Sequence, residues 1–248
     1  MGPGMKVADF GCGVGGPMRG ISRFSDASIT GITISPEQVA QGTRLNRKAG
    51  MDRHCRIIWG HYLQPPFHDG EFDAAYEVEA IIHSPDHRAV YEHVHRVLRP
   101  GGVFGGYAWC MTNRYDPGNP EHRRMKRGIE RGTALSDIPT TRFVDKALQE
   151  VGLELLETQD RIELCDPETP WYLPLTGRDR DPRYLLFSKP GRFALDRLTA
   201  AGERARLLPT STTKITEVVM GAVDALAESG RAGIFTPSYF YLCRKPTR

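Results

Sequence analysis

The sequence predicts an α/β fold: a doubly wound, mostly parallel sheet with a small C-terminal helical subdomain. Three observations lead there. Over the first 110 residues, short apolar runs alternate with stretches whose apolar side chains recur at helical spacing. Parallel strands require crossovers of that kind. The first apolar run, Lys6–Phe10, leads straight into the glycine-rich stretch Gly11-Cys12-Gly13-Val14-Gly15-Gly16, the punctuation of a strand–turn–helix unit. Residues 166–237 form a stretch too long for a loop and read as a helical insert or appended subdomain.

The elements follow in order. After the strand Lys6–Phe10, a helix over 17–24 sets Met18, Ile21 and Phe24 at helical spacing, with Pro17 in its first turn. Residues 28–34 read as a second strand. Ser35-Pro36-Glu37 caps a helix running to about Ala49, which Gly50 ends. Residues 56–59 and 72–76 are the third and fourth strands, the latter following a turn at Asp69-Gly70. A helix over 87–98 is expected to stop at Pro100-Gly101-Gly102, before a fifth strand over 103–110. A helix over 141–151, a strand over 153–162 and a last strand over 239–244 complete the sheet. The expected domains are 1–165, which binds the ligand, and 166–248, whose last strand returns to the sheet.

The 248 residues suffice for a full core. With 33 Lys and Arg against 30 Asp and Glu, the charge is too balanced for a dedicated nucleic-acid binder. No apolar run reaches the roughly 18 residues of a membrane span, and the first residues show no secretory signal pattern. The five cysteines are scattered, with no CxxC pair. They read as reduced thiols in a cytoplasmic protein, without a zinc site or disulfide framework.

The glycine loop carries the most chemistry. Its glycines allow a tight turn and close backbone approach to a ligand. The helix behind it offers N–H groups to an anion. Asp9 ends the strand two residues before Gly11. A carboxylate there repels pyrophosphate but holds an ammonium. GxGxG spacing with Asp9 therefore points to a nucleoside with an amino-acid tail, such as S-adenosylmethionine. The second strand ends without the acid that commonly binds ribose. Thr33 and Gln38 are its polar substitutes there, or simply a strand residue and a solvated helix residue.

Together these segments resemble the sterol C24-methyltransferases, a branch of the class I, Rossmann-like S-adenosylmethionine-dependent methyltransferases. The segments that carry the resemblance are VADFGCGVGGPMRGISRF (7–24), FDAAYEVEAIIHSPD (72–86), VYEHVHRVLRPGGVFGGYAW (90–109), MTNRYDPGNPEHRRMKRGIERG (111–132), PWYLPLTG (170–177) and GIFTPSYFYLCRKP (233–246). The stretch ITISPEQ (32–38) looks more like tocopherol and small-lipid methyltransferases. The resemblance implies that Asp9, Gly11, Cys12, Gly13 and Gly15 border the methionine part of the cofactor, that Thr33 and Gln38 lie at the ribose, and that His61 and Tyr62 flank the adenine. His61 stands where the family carries an acid. Ala108 and Asn113 also replace usual acids. The family has an aromatic-rich, sterol-facing segment ahead of its glycine strand, whereas this sequence opens at that strand. It is therefore expected to be either a fragment or short gene model, or an enzyme whose pocket lacks that lid.

In the reaction the resemblance implies, a side-chain alkene attacks the sulfonium methyl, a tertiary cation forms, a hydride shifts and a proton leaves. Such an enzyme needs aromatic faces for the cation and one base for the proton. Tyr76, Tyr107, Trp109, Trp171 and Tyr172 are the candidate aromatic faces, and Tyr76 lies in the stretch that matches the family's catalytic segment. Glu79 and His83 lie just past the fourth strand, in the crevice where such sheets bind ligands. Four residues apart, they would share one face of a helical turn. The basic run Arg123–Arg127 reads as a solvated helix face, or as a contact with an anionic membrane surface. In a eukaryotic cell that surface would be the endoplasmic reticulum. Three functions stay open: a sterol side-chain methyltransferase, a methyltransferase for another prenyl-type lipid, and a weakened lipid- or cofactor-binding homologue.

Overall fold

The computed structural model describes residues 1–178 and 181–247. The sheet begins with β1 (Lys6–Phe10) and β2 (Ser28–Thr33), joined by α1 (Gly16–Ser25). Next come α2 (Pro36–Lys48), β3 (Cys55–Trp59), β4 (Phe72–Val78), α3 (His87–Val97) and β5 (Leu98–Met111). The chain continues through α4 (Pro120–Thr133), α5 (Thr141–Glu150) and β6 (Glu154–Asp160). It ends with α6 (Lys189–Arg204), α7 (Thr212–Ala232) and β7 (Phe235–Arg244). The seven strands lie in the order β3-β2-β1-β4-β5-β7-β6. β1 pairs in parallel with both β2 and β4, β3 with β2, and β5 with β4, while β6 and β7 are antiparallel.

Local chemistry sets the helix starts. Pro17 occupies the first turn of α1. The Ser35 hydroxyl accepts the Gln38 N–H (3.1 Å) at the start of α2, and Asp86 accepts the Ala89 N–H (3.0 Å) at the start of α3. One expected stop is corrected. Pro100-Gly101-Gly102 does not end a helix but lies inside β5, where the pairing with β4 slips between Phe72–Leu98 and Ala74–Val103. The helix has already ended at Leu98, whose backbone is extended. The irregular β4–β5 register there accommodates a proline that a regular interior strand would exclude.

The chain divides into two compact units. The sheet unit comprises Met1–Trp109, Thr141–Asp160 and Ser238–Arg248; the helical unit comprises Cys110–Thr140 and Arg161–Pro237. Residues 110–140, which the sequence groups with the first domain, thus cluster with the later helices. In the sheet unit, Val7, Met18, Ile29, Ile57 and Ala74 build a core around β1. In the helical unit, α4 packs on α7. A Cβ on Gly132 would strike Ala222, and one on Gly128 would come within 2.7 Å of that of Ala225, so small residues set this close approach. Among the described residues, no helix is long and apolar enough to cross a membrane, and no cluster of His, Cys, Asp and Glu is arranged to hold a metal. All five cysteines are free thiols.

Candidate active site

Because β1 to β4 are parallel, their carboxyl ends share one edge of the sheet. The order reverses between β1 and β4, which makes that edge a ligand crevice in folds of this type. The glycine loop leaves β1 here. Gly11 has φ +94°, and any Cβ on it would collide with that of Ala80, so the loop after β4 seats directly on it. Gly13 has open space where a Cβ would stand, and among the described residues no backbone carbonyl accepts the N–H groups of Gly13 and Val14. Gly15 is the left-handed residue that starts α1. The Cys12 thiol is buried, and burial pushes its ionisation well above the ordinary thiol range, so it is packing rather than a nucleophile.

Asp9 is 3% exposed, and its Oδ2 accepts the Tyr76 hydroxyl at 2.7 Å. The two residues are direct cross-strand partners of β1 and β4. Burial raises the Asp9 carboxyl to about 7, with the nearby Glu77 adding to the rise and Tyr76 opposing it. A buried carboxyl at that threshold ionises readily when an ammonium arrives. Tyr76 is 5% exposed and part of the core around β1. It therefore does not offer a ring to the reacting centre as expected. Its hydroxyl orients Asp9 instead.

At the end of β2, the Thr33 hydroxyl donates to Gln38 Oε1 (2.6 Å), so the two predicted ribose residues meet across the β2–α2 turn. Beyond them lies a crevice of about 410 Å³ lined by Ile34, Trp59, Gly60, His61, Gln64 and Pro66. Trp59 is 66% exposed, and its indole N–H donates to the Ile34 carbonyl (3.1 Å). Tyr62 is half-buried against the His61 ring, at 5.1 Å. Of this crevice, sequence reasoning found only Gly60 and His61, as part of the stretch Gly60-His61-Tyr62 that the family resemblance sets beside the adenine. Apolar residues at the carboxyl ends of two parallel strands, Ile34 just past β2 and Trp59 closing β3, were the available signal.

The loop after β4 differs from expectation. Glu79 sits in the left-handed region (φ +53°), and only after it does a short 3-10 turn, Ile81–His83, begin. Glu79 and His83 therefore do not share a face of one helical turn; both are exposed. The Glu79 N–H donates to the Tyr107 carbonyl (3.0 Å). Strand register places Asp9, Tyr76, Tyr107 and Trp109 on one face of the sheet. Tyr107 packs 5.2 Å from Phe240, and Trp109 is half-buried. Trp171 and Tyr172 belong to the helical unit, where they pack edge-to-face (5.7 Å) over Gly230 of α7, with Trp171 also against Phe235.

The donor set fits S-adenosylmethionine. A buried carboxyl at Asp9 suits the ammonium, unpaired N–H groups and open space at Gly13 suit the methionine tail, and a half-apolar crevice suits a purine. Comparison with known proteins agrees. A methyltransferase-domain family model matches residues 8–105, and a sterol methyltransferase C-terminal model matches residues 183–247. The chain is 39% identical over 244 residues to a cycloartenol-C-24-methyltransferase of Arabidopsis thaliana, covering 98% of this chain and 72% of that one. It is also 39% identical over 251 residues to a sterol 24-C-methyltransferase of Yarrowia lipolytica, covering 98% of this chain and 66% of that one. Among solved structures, a geranyl diphosphate methyltransferase in complex with SAM superposes with a TM-score of 0.71 at 23% identity, over 99% of this chain and 79% of that one. A geranyl diphosphate C-methyltransferase from Streptomyces coelicolor A3(2) gives 0.70 at 21%, over 98% of this chain and 70% of that one. At these identities the two structures speak for the fold alone.

Proposed function

Because the chain belongs to the sterol 24-C-methyltransferase family, we propose that it transfers the methyl group of S-adenosylmethionine to the C24 double bond of a sterol side chain. The observation that carries this reading is the identity to cycloartenol-C-24-methyltransferase along 98% of the chain. When bound, the cofactor supplies an electrophilic methyl group on a sulfonium. The protein's share is to bind, orient and stabilise. Asp9, oriented by Tyr76, takes the ammonium, and the Gly13 and Val14 N–H groups take the carboxylate. Thr33 and Gln38 hold the ribose. Ile34, Trp59 and Pro66 receive the adenine, with His61 and Tyr62 beside it. Glu79, an exposed carboxylate just past β4, stabilises positive charge electrostatically, with His83 assisting. Tyr107 and Trp109 give ring faces to a side-chain cation. In the helical unit, Trp171 and Tyr172 contact the sterol body.

The helical unit supports one partner beyond the substrate. Arg123, Arg124, Arg127 and Arg131 line an open groove of about 490 Å³ along α4. Such a stripe suits peripheral contact between a cytoplasmic enzyme and an anionic membrane, where a sterol is collected. Sedimentation with anionic and zwitterionic vesicles tests this: binding to the anionic vesicles alone, lost at high salt, is expected.

The function itself is tested by incubating the protein with methyl-labelled S-adenosylmethionine and three acceptors: cycloartenol, its side-chain-saturated analogue and geranyl diphosphate. Label in the methylated product of cycloartenol alone supports the reading. Label in geranyl diphosphate alone, or in none of the three, overturns it.

A further inference from the structure

A second carboxylate is buried in the sheet, and the assigned cofactor contacts do not use it. Glu77, on β4, is 1% exposed and faces away from Asp9 and Tyr76, because it is the next residue along the strand. Its Oε2 accepts the N–H groups of Ala80 (2.8 Å) and Ile81 (3.2 Å). Its Oε1 accepts the hydroxyl of Tyr241, on β7, at 2.8 Å. Tyr241 is fully buried, with Phe104 at 5.4 Å and Tyr91 at 6.3 Å. Gly106 is the β5 partner of Glu77; a Cβ there would lie 2.6 Å from the Tyr241 oxygen and 2.9 Å from Glu77 Cγ. The site is thus shaped for this one pair.

A buried carboxylate is costly, and among the described residues no cation pairs with this one. Three donors converge on it, and two of them belong to the residues that follow Glu79. The same segment seats Ala80 on Gly11 of the cofactor loop. The left-handed backbone of Glu79 is a conformation that a non-glycine residue holds only when its surroundings impose it. The imposing contacts are visible: the Glu79 N–H is bonded to Tyr107, and the next two N–H groups are bonded to Glu77.

We infer that Glu77 is a positioning residue for methyl transfer: tethered to β7 through Tyr241, it fixes the 79–83 loop so that Glu79 faces the crevice and Ala80 braces the cofactor loop. The inference rests on the proposed role of Glu79 in the reaction. Because Glu77 acts through backbone N–H groups, it is not itself a catalytic residue. Its loss is expected to lower turnover more than cofactor affinity.

The test compares three variants of the full chain. Glu77→Ala alone would leave the Tyr241 hydroxyl buried without an acceptor, so the informative variant is Glu77→Ala with Tyr241→Phe, which removes that pair together and leaves only the Ala80 and Ile81 N–H groups without their acceptor. It is expected to lower kcat by at least about tenfold while the S-adenosylhomocysteine Kd stays within about threefold. Hydrogen exchange at the Ala80 and Ile81 amides should rise in step. Glu77→Gln keeps an oxygen for the two N–H groups and is expected to recover most of the lost turnover. Glu79→Gln serves as the reference. Wild-type kcat in the double variant beside a crippled Glu79→Gln would overturn the inference, as would unchanged exchange at Ala80 and Ile81. A wild-type Glu79→Gln would instead remove Glu79 from the reaction, and amide exchange alone would then decide whether Glu77 holds the loop.

Discussion

The sheet unit and the helical unit differ in the charged groups they bury, although both show large apolar side chains at the surface: in the sheet unit, Phe24, Ile34 and Trp59 are each more than half exposed. The sheet unit buries two carboxyls, Asp9 and Glu77, in otherwise apolar surroundings and gives each a tyrosine hydroxyl. The helical unit also leaves large apolar side chains outside: Phe193, Leu198, Leu207 and Ile215 are each more than half exposed. A buried carboxyl that meets only neutral donors costs stability, and such groups cluster where ligands bind. Exposed apolar groups on a small helical unit suit a lipid substrate or a lipid surface. The buried carboxyls thus lie in the sheet unit, whereas exposed apolar side chains occur in both units.

The sharpest way to break the sheet unit's arrangement is Gly106→Ala. Its Cβ would press on both Tyr241 and Glu77, and overpacking of this kind costs about 1–3 kcal/mol, with a disturbed buried bond adding to it. Thermal unfolding should show a fall of roughly 5–10 °C. An unchanged melting temperature would show that the Glu77–Tyr241 bond is not tightly held.

Next in size is Asp9→Asn. If Asp9 meets the cofactor ammonium, wild-type affinity for S-adenosylhomocysteine should rise with pH as the carboxyl, held up near 7 by burial, ionises. Asp9→Asn should weaken binding by about tenfold above pH 8, a loss typical of one charged hydrogen bond, and flatten the pH dependence. Calorimetry across pH 6–9 measures both. An equal slope in the variant would assign the titration to another group.

A smaller effect tests the same burial without ligand. Asp9 and Glu77 both have folded-state values raised to about 7, above those of the unfolded chain. Between the unfolded values, near 4, and pH 7, the native state keeps protons that the unfolded chain releases. Their contribution therefore favours the folded protein most at low pH and is lost as pH rises through 7. Denaturant melts of wild type and Glu77→Gln over pH 5–8 should converge at the acid end and separate at the alkaline end, with the variant the more stable there. The reverse ordering would contradict a protonated, buried Glu77.

These residues also show how far the sequence could be read. The glycine loop, the Ser35 cap and the strand–helix alternation are local signals, written in a few neighbouring residues, and the structure reproduces them. The strands buried on both faces gave no alternation from which to tell that Tyr76 turns inward to Asp9. Pro100-Gly101-Gly102 looked like a helix stop because turn chemistry and a strand irregularity use the same residues. The left-handed Glu79 is a product of tertiary bonds and leaves no mark in the sequence. Glu77 did leave one: an acid inside the apolar run FDAAYEV asks for a partner, and that partner lies 164 residues away on β7. In the helical unit, composition announced helices but not their bounds, since its contacts depend on small residues such as Gly128, Gly132 and Ala222.

The smallest expected effect lies in that unit. Arg124 bonds to Glu121 and Glu228 at the surface, all three side chains being substantially exposed. Arg124→Ala should cost no more than about 1 kcal/mol, and less at high salt. A larger loss in denaturant melts would mean that the α4–α7 contact depends on charge rather than on close packing.

The division of labour is tested most directly by paired binding titrations of S-adenosylhomocysteine and a Δ24 sterol on Gly13→Leu and Trp171→Ala. The expected result is a crossed pattern. Gly13→Leu, whose side chain fills open space beside the loop, abolishes cofactor binding and leaves sterol binding nearly intact. Trp171→Ala weakens sterol binding and leaves cofactor affinity nearly intact. Equal loss of both ligands in either variant, or unchanged cofactor affinity in Gly13→Leu, would contradict the account.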